Sequence, residues 1–525
     1  MTPEVARFLR EISSEIGRQI GILVNRRGNV EYVIVGDQRG IFIPDLSRYR
    51  SGHARLRGLR CIHTHLRDDG LTNDDLTDLA ILRLDLMAVL PLDSNPNSGR
   101  IEVGYLLPEN PRGEQWAVAS YPSAAECDID FMGFIQSLEE EFQRSQNARP
   151  SGQRGERAVL VGVYKRSRQF AEDSMEELKD LAWSSGVQVV ECVIQRAHEV
   201  DSRFLIGRTK LMDVVIRCNQ LGADLIIFDN ELSSAQVAAL AEFAEVRVID
   251  RTQLILDIFA QRAKSRDGKV QVELAQLKYL LPRLTGRNTA LSRLAGGIGG
   301  RGPGETKLEI DRRRVRDRIH ALEKRLELLS RARSTRRVQR LKLAIPILSI
   351  VGYTNAGKST LLNTLTDSDV HVEDKLFATL DTSSRRLRFP AARDAIITDT
   401  VGFIRDLPPD LIGAFRATLD ELRDADTLIH LVDLSHPRFE DHIQSVSKTL
   451  AELDLIHIPR ILVFNKQDRV EPAHASTVCH RYGGIAVSAI DRSTLGPLLA
   501  AVEGALWKKQ PGILRDPFVD KRRPL

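Results

Sequence analysis

The chain has 525 residues, of which 42% are hydrophobic and 28% charged, and a net charge of only +4. That length exceeds what one hydrophobic core fills, so three or four domains are expected, and the composition excludes collagen-like, disordered and disulfide-rich classes. No apolar run is long enough to span a bilayer, and the N-terminus lacks a basic stretch leading into an apolar one; five scattered cysteines without a CxxC pair read as reduced thiols of a cytoplasmic protein.

In chain order, helical spacing of Val5, Phe8, Leu9, Ile12 and Ile16 predicts an amphipathic helix, and two strands follow at 20–25 and 30–36 across the turn Arg26-Arg27-Gly28-Asn29. Leu59 to His65 is an apolar run that ends in His63-Thr64-His65, and Thr72-Asn73-Asp74-Asp75 comes shortly after. This order resembles the JAB/MPN metallopeptidase motif, in which two His and one Asp hold zinc. The interval from His to Thr is one residue short of that motif. Gln19 also stands where the family carries its catalytic Glu, which removes the base that activates water. A JAB-like fold without peptidase activity is expected for 1–145, with a structural His pair preferred over a bound metal.

A hydrophilic linker at 146–156 opens a small parallel α/β region. Strands at 158–163, 187–193, 224–228 and 246–249 alternate with helices at 174–185, 210–221 and 233–243. Gly207-Arg208-Thr209-Lys210 at a helix start lacks the remainder of a phosphate-binding motif and is not expected to form a second nucleotide site. A single helix is predicted over 252–281. A glycine-dense loop at 296–306 then leads into a long helix whose Val315, Ile319, Leu322, Leu326 and Leu329 make a coiled-coil seam. Residues 301–342 hold 15 Lys and Arg against 6 Asp and Glu, a larger surplus than that of the whole chain. Arginine bias of this strength points to a polyanion, RNA.

The decisive motif is Gly352-Tyr353-Thr354-Asn355-Ala356-Gly357-Lys358-Ser359, set between an apolar strand and a helix. Its backbone N–H groups converge on phosphate, Lys358 places a charge at the β- and γ-phosphates, and Ser359 offers a hydroxyl to Mg²⁺. Downstream, Asp399-Thr400-Val401-Gly402 ends a strand; Asp399 is expected to hold Mg²⁺ through water and the Gly402 N–H to sense the γ-phosphate. Phe377-Ala378-Thr379-Leu380-Asp381 fits a first switch, with Thr379 completing the metal shell. Asn465-Lys466-Gln467-Asp468 follows a strand and supplies a carboxylate that accepts from the N1–H and N2–H₂ edge of guanine, an edge that adenine lacks. Ser488-Ala489-Ile490 offers backbone N–H to guanine O6. Lys358, Thr379 and Gly402 are the candidate catalytic groups. Phe403 occupies the position where many small GTPases carry the glutamine that orients water, so hydrolysis is expected to need a partner, or help from Asp381, Thr382 or Arg405.

Residues 352–359, 377–381, 399–403 and, above all, the glycine-rich and arginine-rich run at 296–319 resemble the HflX family of translational GTPases. The likeness covers about 157–507. It implies a P-loop GTPase domain at 344–509, preceded by an α/β subdomain at 157–285, a basic helical subdomain at 286–343 and an N-terminal α+β extension, with a short tail at 510–525. It further implies a monomer that uses GTP, GDP and Mg²⁺, binds the large ribosomal subunit and its RNA, and splits stalled or idle ribosomes. No motif supports the ATP hydrolysis that this family also shows. The alternatives are a GTP-dependent signalling switch that recruits a protein and a GTP-regulated JAB-type metallohydrolase.

Overall fold

A computed structural model describes residues 2–46, 48–49, 52, 55–67, 69–92, 100–108, 110, 112–147, 155–197, 199–244, 246–285, 307–341, 345–366, 376–377, 383–389, 393–400, 402–405 and 420–507. The chain forms two compact units: Met1–Met175 with Val187–Asn230 and Ala239–Ile249, and Glu176–Gly186 with Glu231–Ala238 and Asp250–Leu525.

The first unit begins with helix α1 (Pro3–Ile16), strands β1 (Ile20–Asn25), β2 (Val30–Val35) and β3 (Leu59–His65), helix α2 (Asn73–Ile81), strands β4 (Leu86–Pro91), β5 (Ile101–Leu106) and β6 (Trp116–Tyr121), and helix α3 (Phe131–Asn147). The six strands make one sheet in the order β2-β1-β3-β4-β5-β6, with β3 and β4 parallel. Strand side chains alternate between faces. Ile20, Ile22, Val24 and Ile62 accordingly pack with Ala6 and Leu9 of α1, whereas Leu23, Leu59 and Cys61 pack with Leu76 and Leu79 of α2 and Ile135 and Leu138 of α3. The same alternation puts Gln19, His63 and His65 on the α2 face.

The second sheet of this unit has the order β10-β9-β7-β8, built from β7 (Arg157–Tyr164), β8 (Gln188–Arg196), β9 (Leu225–Phe228) and β10 (Arg247–Asp250). β7 pairs in parallel with both β8 and β9. The intervening helices are α4 (Arg168–Ser184), α5 (Arg208–Leu221) and α6 (Ser234–Phe243). Parallel pairing requires crossover helices, and the sequence supplies one after each strand.

In the second unit, the single helix predicted over 252–281 is two helices, α7 (Arg251–Arg262) and α8 (Arg266–Leu280), followed by one 3₁₀ segment (Leu281–Thr285). The break lies at Ala263, whose backbone is extended, and Ser265 caps α8 by accepting from the Gly268 N–H at 2.9 Å. Apolar periodicity runs across this break because both helices bury a face, and so it hides the boundary. Helix α9 (Lys307–Leu341) lays the predicted seam on α8. Val315, Ile319, Leu322 and Leu326 pack with Val270, Leu274, Leu277 and Leu281. The seam therefore has its partner within the chain. Arg318–Glu273 and Lys278–Glu323 ion pairs flank it, so part of the basic helix's charge is used internally.

The rest of this unit is a six-stranded sheet in the order β12-β13-β11-β14-β15-β16. Its elements are β11 (Ile347–Gly352), α10 (Lys358–Thr366), β12 (Ser383–Arg388), β13 (Asp394–Asp399), β14 (Thr427–Asp433), α11 (Phe439–Glu452), β15 (Arg460–Asn465), α12 (Pro472–Tyr482), β16 (Ile485–Ala486) and α13 (Gly496–Trp507). All neighbours are parallel except the edge pair β12 and β13. The phosphate loop and the loops at 399–402, 465–468 and 488–490 follow the carboxyl ends of β11, β13, β15 and β16, where open α/β sheets bind ligands.

Candidate nucleotide site

β11 is buried along most of its length and delivers residues 352–357 as a tight loop. A Cβ on Gly352 would run into the Leu431 carbonyl oxygen of β14, and one on Gly357, at φ +92°, would strike the Asn465 side chain. Both positions need glycine because neighbouring strands approach the loop so closely. Lys358 begins α10 with its side chain buried and its Nζ donating to the Tyr353 carbonyl at 2.8 Å. A Cβ on Gly402 would lie 2.7 Å from Thr354 Cγ2 and 2.9 Å from Lys358 Nζ. The Lys358 ammonium and the Gly402 backbone thus share one small space, as charge recognition and sensing of a terminal phosphate would require.

Ser359 Oγ donates to Asp399 Oδ2 at 2.6 Å, and Asp399 is fully buried at the end of β13. A hydroxyl beside a carboxylate is the hard oxygen donor set that suits Mg²⁺. Thr400 is committed differently: its hydroxyl donates to the Ile350 carbonyl at 2.7 Å and ties β13 to β11.

The guanine-motif loop is organised by Asn465, which donates from Nδ2 to the Ala356 carbonyl at 2.7 Å and accepts from the Ala489 N–H at 2.8 Å. One side chain therefore fastens the phosphate loop to the 488–490 loop, and its second Nδ2 hydrogen is not used by these two bonds. Lys466 sits at φ 62° and its Nζ reaches Asp433 Oδ2 at 2.6 Å. Gln467 donates its N–H to the Val487 carbonyl at 3.2 Å. Asp468 is exposed and accepts from Ser488 Oγ at 2.6 Å, which orients its carboxylate. Ile490 is 75% exposed. Sequence reasoning misses Asp433; only its place at the end of a strand could draw attention to it.

Phe403 is 2% exposed, and its backbone joins the phosphate loop: Thr354 N–H donates to its carbonyl at 2.8 Å and its own N–H donates to the Gly352 carbonyl at 3.1 Å. A buried ring cannot polarise water, in keeping with its place in the sequence. Tyr353 accepts at its hydroxyl from the Arg405 N–H at 2.7 Å and donates to Glu177. Glu177 also pairs with Arg251 at 2.9 Å, and Arg251 donates to the Arg405 carbonyl at 3.5 Å. Burial raises the Glu177 carboxyl, but Arg251 and the Tyr353 hydroxyl outweigh it and leave the group below its ordinary range. The His442 ring stacks on Tyr353 with centroids 3.9 Å apart. Arg405, one of three candidates for assisting hydrolysis, is thus held through its backbone. Of the first switch, Phe377 is buried against Phe259 at 4.6 Å, and Leu376 N–H donates to Ser184 Oγ at 2.9 Å. Ala378, Thr379, Leu380, Asp381, Thr382 and Val401 lie outside the described residues, as does the 296–306 loop.

Three families match successive parts of the chain: GTP-binding GTPase N-terminal over 172–260, GTP-binding GTPase Middle Region over 262–340 and 50S ribosome-binding GTPase over 347–466. A solved GTP-binding protein from the archaeon Sulfolobus solfataricus, in complex with GDP, is 25% identical, covering 68% of this chain and 100% of that one at a TM-score of 0.37. The GTPase HflX of Escherichia coli K12 is 45% identical over 60% of this chain and 74% of its own length. The GTPase HflX of Caldanaerobacter subterraneus is 48% identical over 67% of this chain and 81% of its own length. At that identity and coverage, the chain belongs to the HflX family of GTPases.

Proposed function

We propose that this GTPase, which hydrolyses GTP to GDP and phosphate, docks on the large ribosomal subunit through its basic helical segment and splits stalled or idle ribosomes. The observation that carries the reading is the match of 347–466 to a ribosome-binding GTPase family directly after a helix rich in exposed arginines. Domain boundaries at 145, 156, 285, 343 and 509 belong to the same proposal.

The residues divide the work. Lys358 neutralises β- and γ-phosphate charge, and Gly402 presents its N–H where no side chain fits. Asp468 selects guanine, with Ser488 fixing its rotamer. Ser359 and Asp399, with Thr379, would hold Mg²⁺, which supplies charge neutralisation at the phosphate oxygens when bound. Because Phe403 cannot position water, the ribosome is expected to complete the site and to stimulate turnover. GTP keeps the switches ordered while the protein occupies the subunit, and hydrolysis releases it.

Sucrose-gradient sedimentation of paired ribosomes with a non-hydrolysable GTP analogue tests this reading. Separated subunits with the protein retained on the large one are expected, and intact paired ribosomes would overturn it.

A further inference from the structure

The α2 face of the first sheet carries a cluster that takes no part in the nucleotide site. β3 aims His63 and His65 at the N-terminal turn of α2, where Asp75 lies. His63 Nε2 is 3.1 Å from His65 Nε2 and 3.3 Å from Asp75 Oδ1, and His65 Nε2 is 3.4 Å from Asp75 Oδ2. For a tetrahedral ion with bonds of about 2.0–2.1 Å, donor atoms stand roughly 3.3–3.4 Å apart. The three edges lie close to that spacing.

Hydrogen bonding alone accounts for the arrangement only if a His63 Nε2–H is shared between Asp75 Oδ1 and a bare His65 Nε2, which leaves His63 Nδ1 a buried acceptor with no partner among the described residues. A neutral imidazole has one N–H. His65 Nδ1 lies 3.3 Å from the Asp69 carbonyl, to which it can only donate, and this leaves Nε2 as a bare lone pair facing a carboxylate and a second ring. If instead both Nε2 atoms carry protons for Asp75, two N–H groups confront each other across 3.1 Å. A divalent cation satisfies all three atoms at once. His63 is fully buried, and its other ring nitrogen has no hydrogen-bond partner among the described residues, so the ring's polar contacts all converge on this cluster.

Two of the three ligands, His65 and Asp75, have a supporting shell. Thr72 donates to Asp75 Oδ2 from its N–H at 2.8 Å and its hydroxyl at 2.7 Å, which locks the carboxylate, and the Asp69 carbonyl fixes the tautomer of His65. Asp75 keeps 15% of its side chain exposed and provides an entry path. A helix cap by itself would need only the Thr72 contacts.

We infer that His63, His65 and Asp75 form a zinc site, which reverses the expectation of a merely structural His pair. Two nitrogens and one oxygen leave one vertex for water or an oxygen ligand. The site is not hydrolytic. Extending the β1–β3 register sets Gln19, 5% exposed, opposite His65, and a carboxamide cannot take a proton from a zinc-bound water. Zinc here fastens β3 to α2, and its open vertex can take a ligand.

The test uses the full-length, untagged protein, loaded with zinc, passed over a chelating resin and assayed by mass spectrometry alongside His65→Gln. About one zinc per chain is expected in the wild type and almost none in the variant, with GTP affinity unchanged. A zinc-free wild type, or a variant that keeps its zinc, overturns the site. Should His65→Gln fail to fold, cobalt loading of the wild type decides: intense tetrahedral visible bands support the site, and their absence overturns it. Release of a peptide or isopeptide product by the zinc-loaded chain would overturn the assignment as non-hydrolytic.

Discussion

Lys358 illustrates how a single buried charge ties nucleotide binding to pH. Burial pushes its ammonium down to about 8, against a smaller upward pull from Asp399. Phosphate oxygens favour the charged form, so the pKa is higher in the nucleotide complex than in the free protein. Below pH 8 both states hold the proton and affinity is flat. As pH rises through 8 the free protein loses it first, so binding takes up a proton and affinity falls by up to about tenfold per pH unit. Isothermal titration of GDP in two buffers of different ionisation heat reads this directly; an affinity constant to pH 9.5 would contradict it. Asp468 makes a second prediction. Asp468→Asn replaces one acceptor oxygen by a donor, which suits the C2 carbonyl of xanthine and not the amino group of guanine. GTP affinity should fall by about 100-fold and xanthosine triphosphate should become the better ligand in competition binding. These residues are legible in the sequence because strand-end spacing alone fixes them. Asp75 is legible only as a spacing, since nothing local says that α2 brings its first turn within 3.4 Å of both histidines.

Between elements, the groups that frame the phosphate loop come from far along the chain. Tyr353 meets Glu177 of α4 and Arg251 of α7 supports that pair, across separations that leave no periodic trace. Apolar spacing starts α4 at 174, later than the observed Arg168, because Arg168–Asp173 carries little of that pattern. The α7–α8 break escapes the sequence for the opposite reason, an apolar pattern too continuous to show a cap. The Tyr353 hydroxyl is the joint worth testing. Tyr353→Phe leaves the ring stacked on His442 and the carbonyl bonded to Lys358, and removes the acceptor of the Arg405 N–H and a donor to a buried carboxylate. A loss of about 1.5–3 kcal/mol in unfolding free energy is expected. Amide exchange at Arg405 should quicken by roughly tenfold while GDP affinity changes less than about threefold. Unchanged exchange would show that the hydroxyl does not restrain this segment.

Across the whole chain, a net charge of +4 conceals a concentrated basic stretch. The fold identifies which of those arginines can serve a partner. Arg318 is engaged by Glu273 of α8, whereas Arg314, Arg316 and Arg325 are exposed; among the described residues, only Arg314 of these three has a carboxylate at ion-pair range, Asp311 at 3.8 Å. The seam of α9 is apolar and buried on α8, so replacing exposed arginines changes charge without touching packing. Gln has a helix propensity close to that of Arg, so the triple variant Arg314→Gln, Arg316→Gln, Arg325→Gln should stay folded with GTP binding intact. If α9 binds ribosomal RNA, removing one arginine–phosphate pair lowers the slope of log affinity against log salt by about 0.7–0.9. Co-sedimentation with large subunits over a salt series should therefore show weaker binding at low salt and a slope shallower by about 2 to 3 for the variant. If the helix instead docks on a protein, a few rim charges alter binding with little salt signature. Equal slopes for the two proteins would move the ribosomal interface away from α9, leaving the GTPase chemistry as described but its docking surface elsewhere.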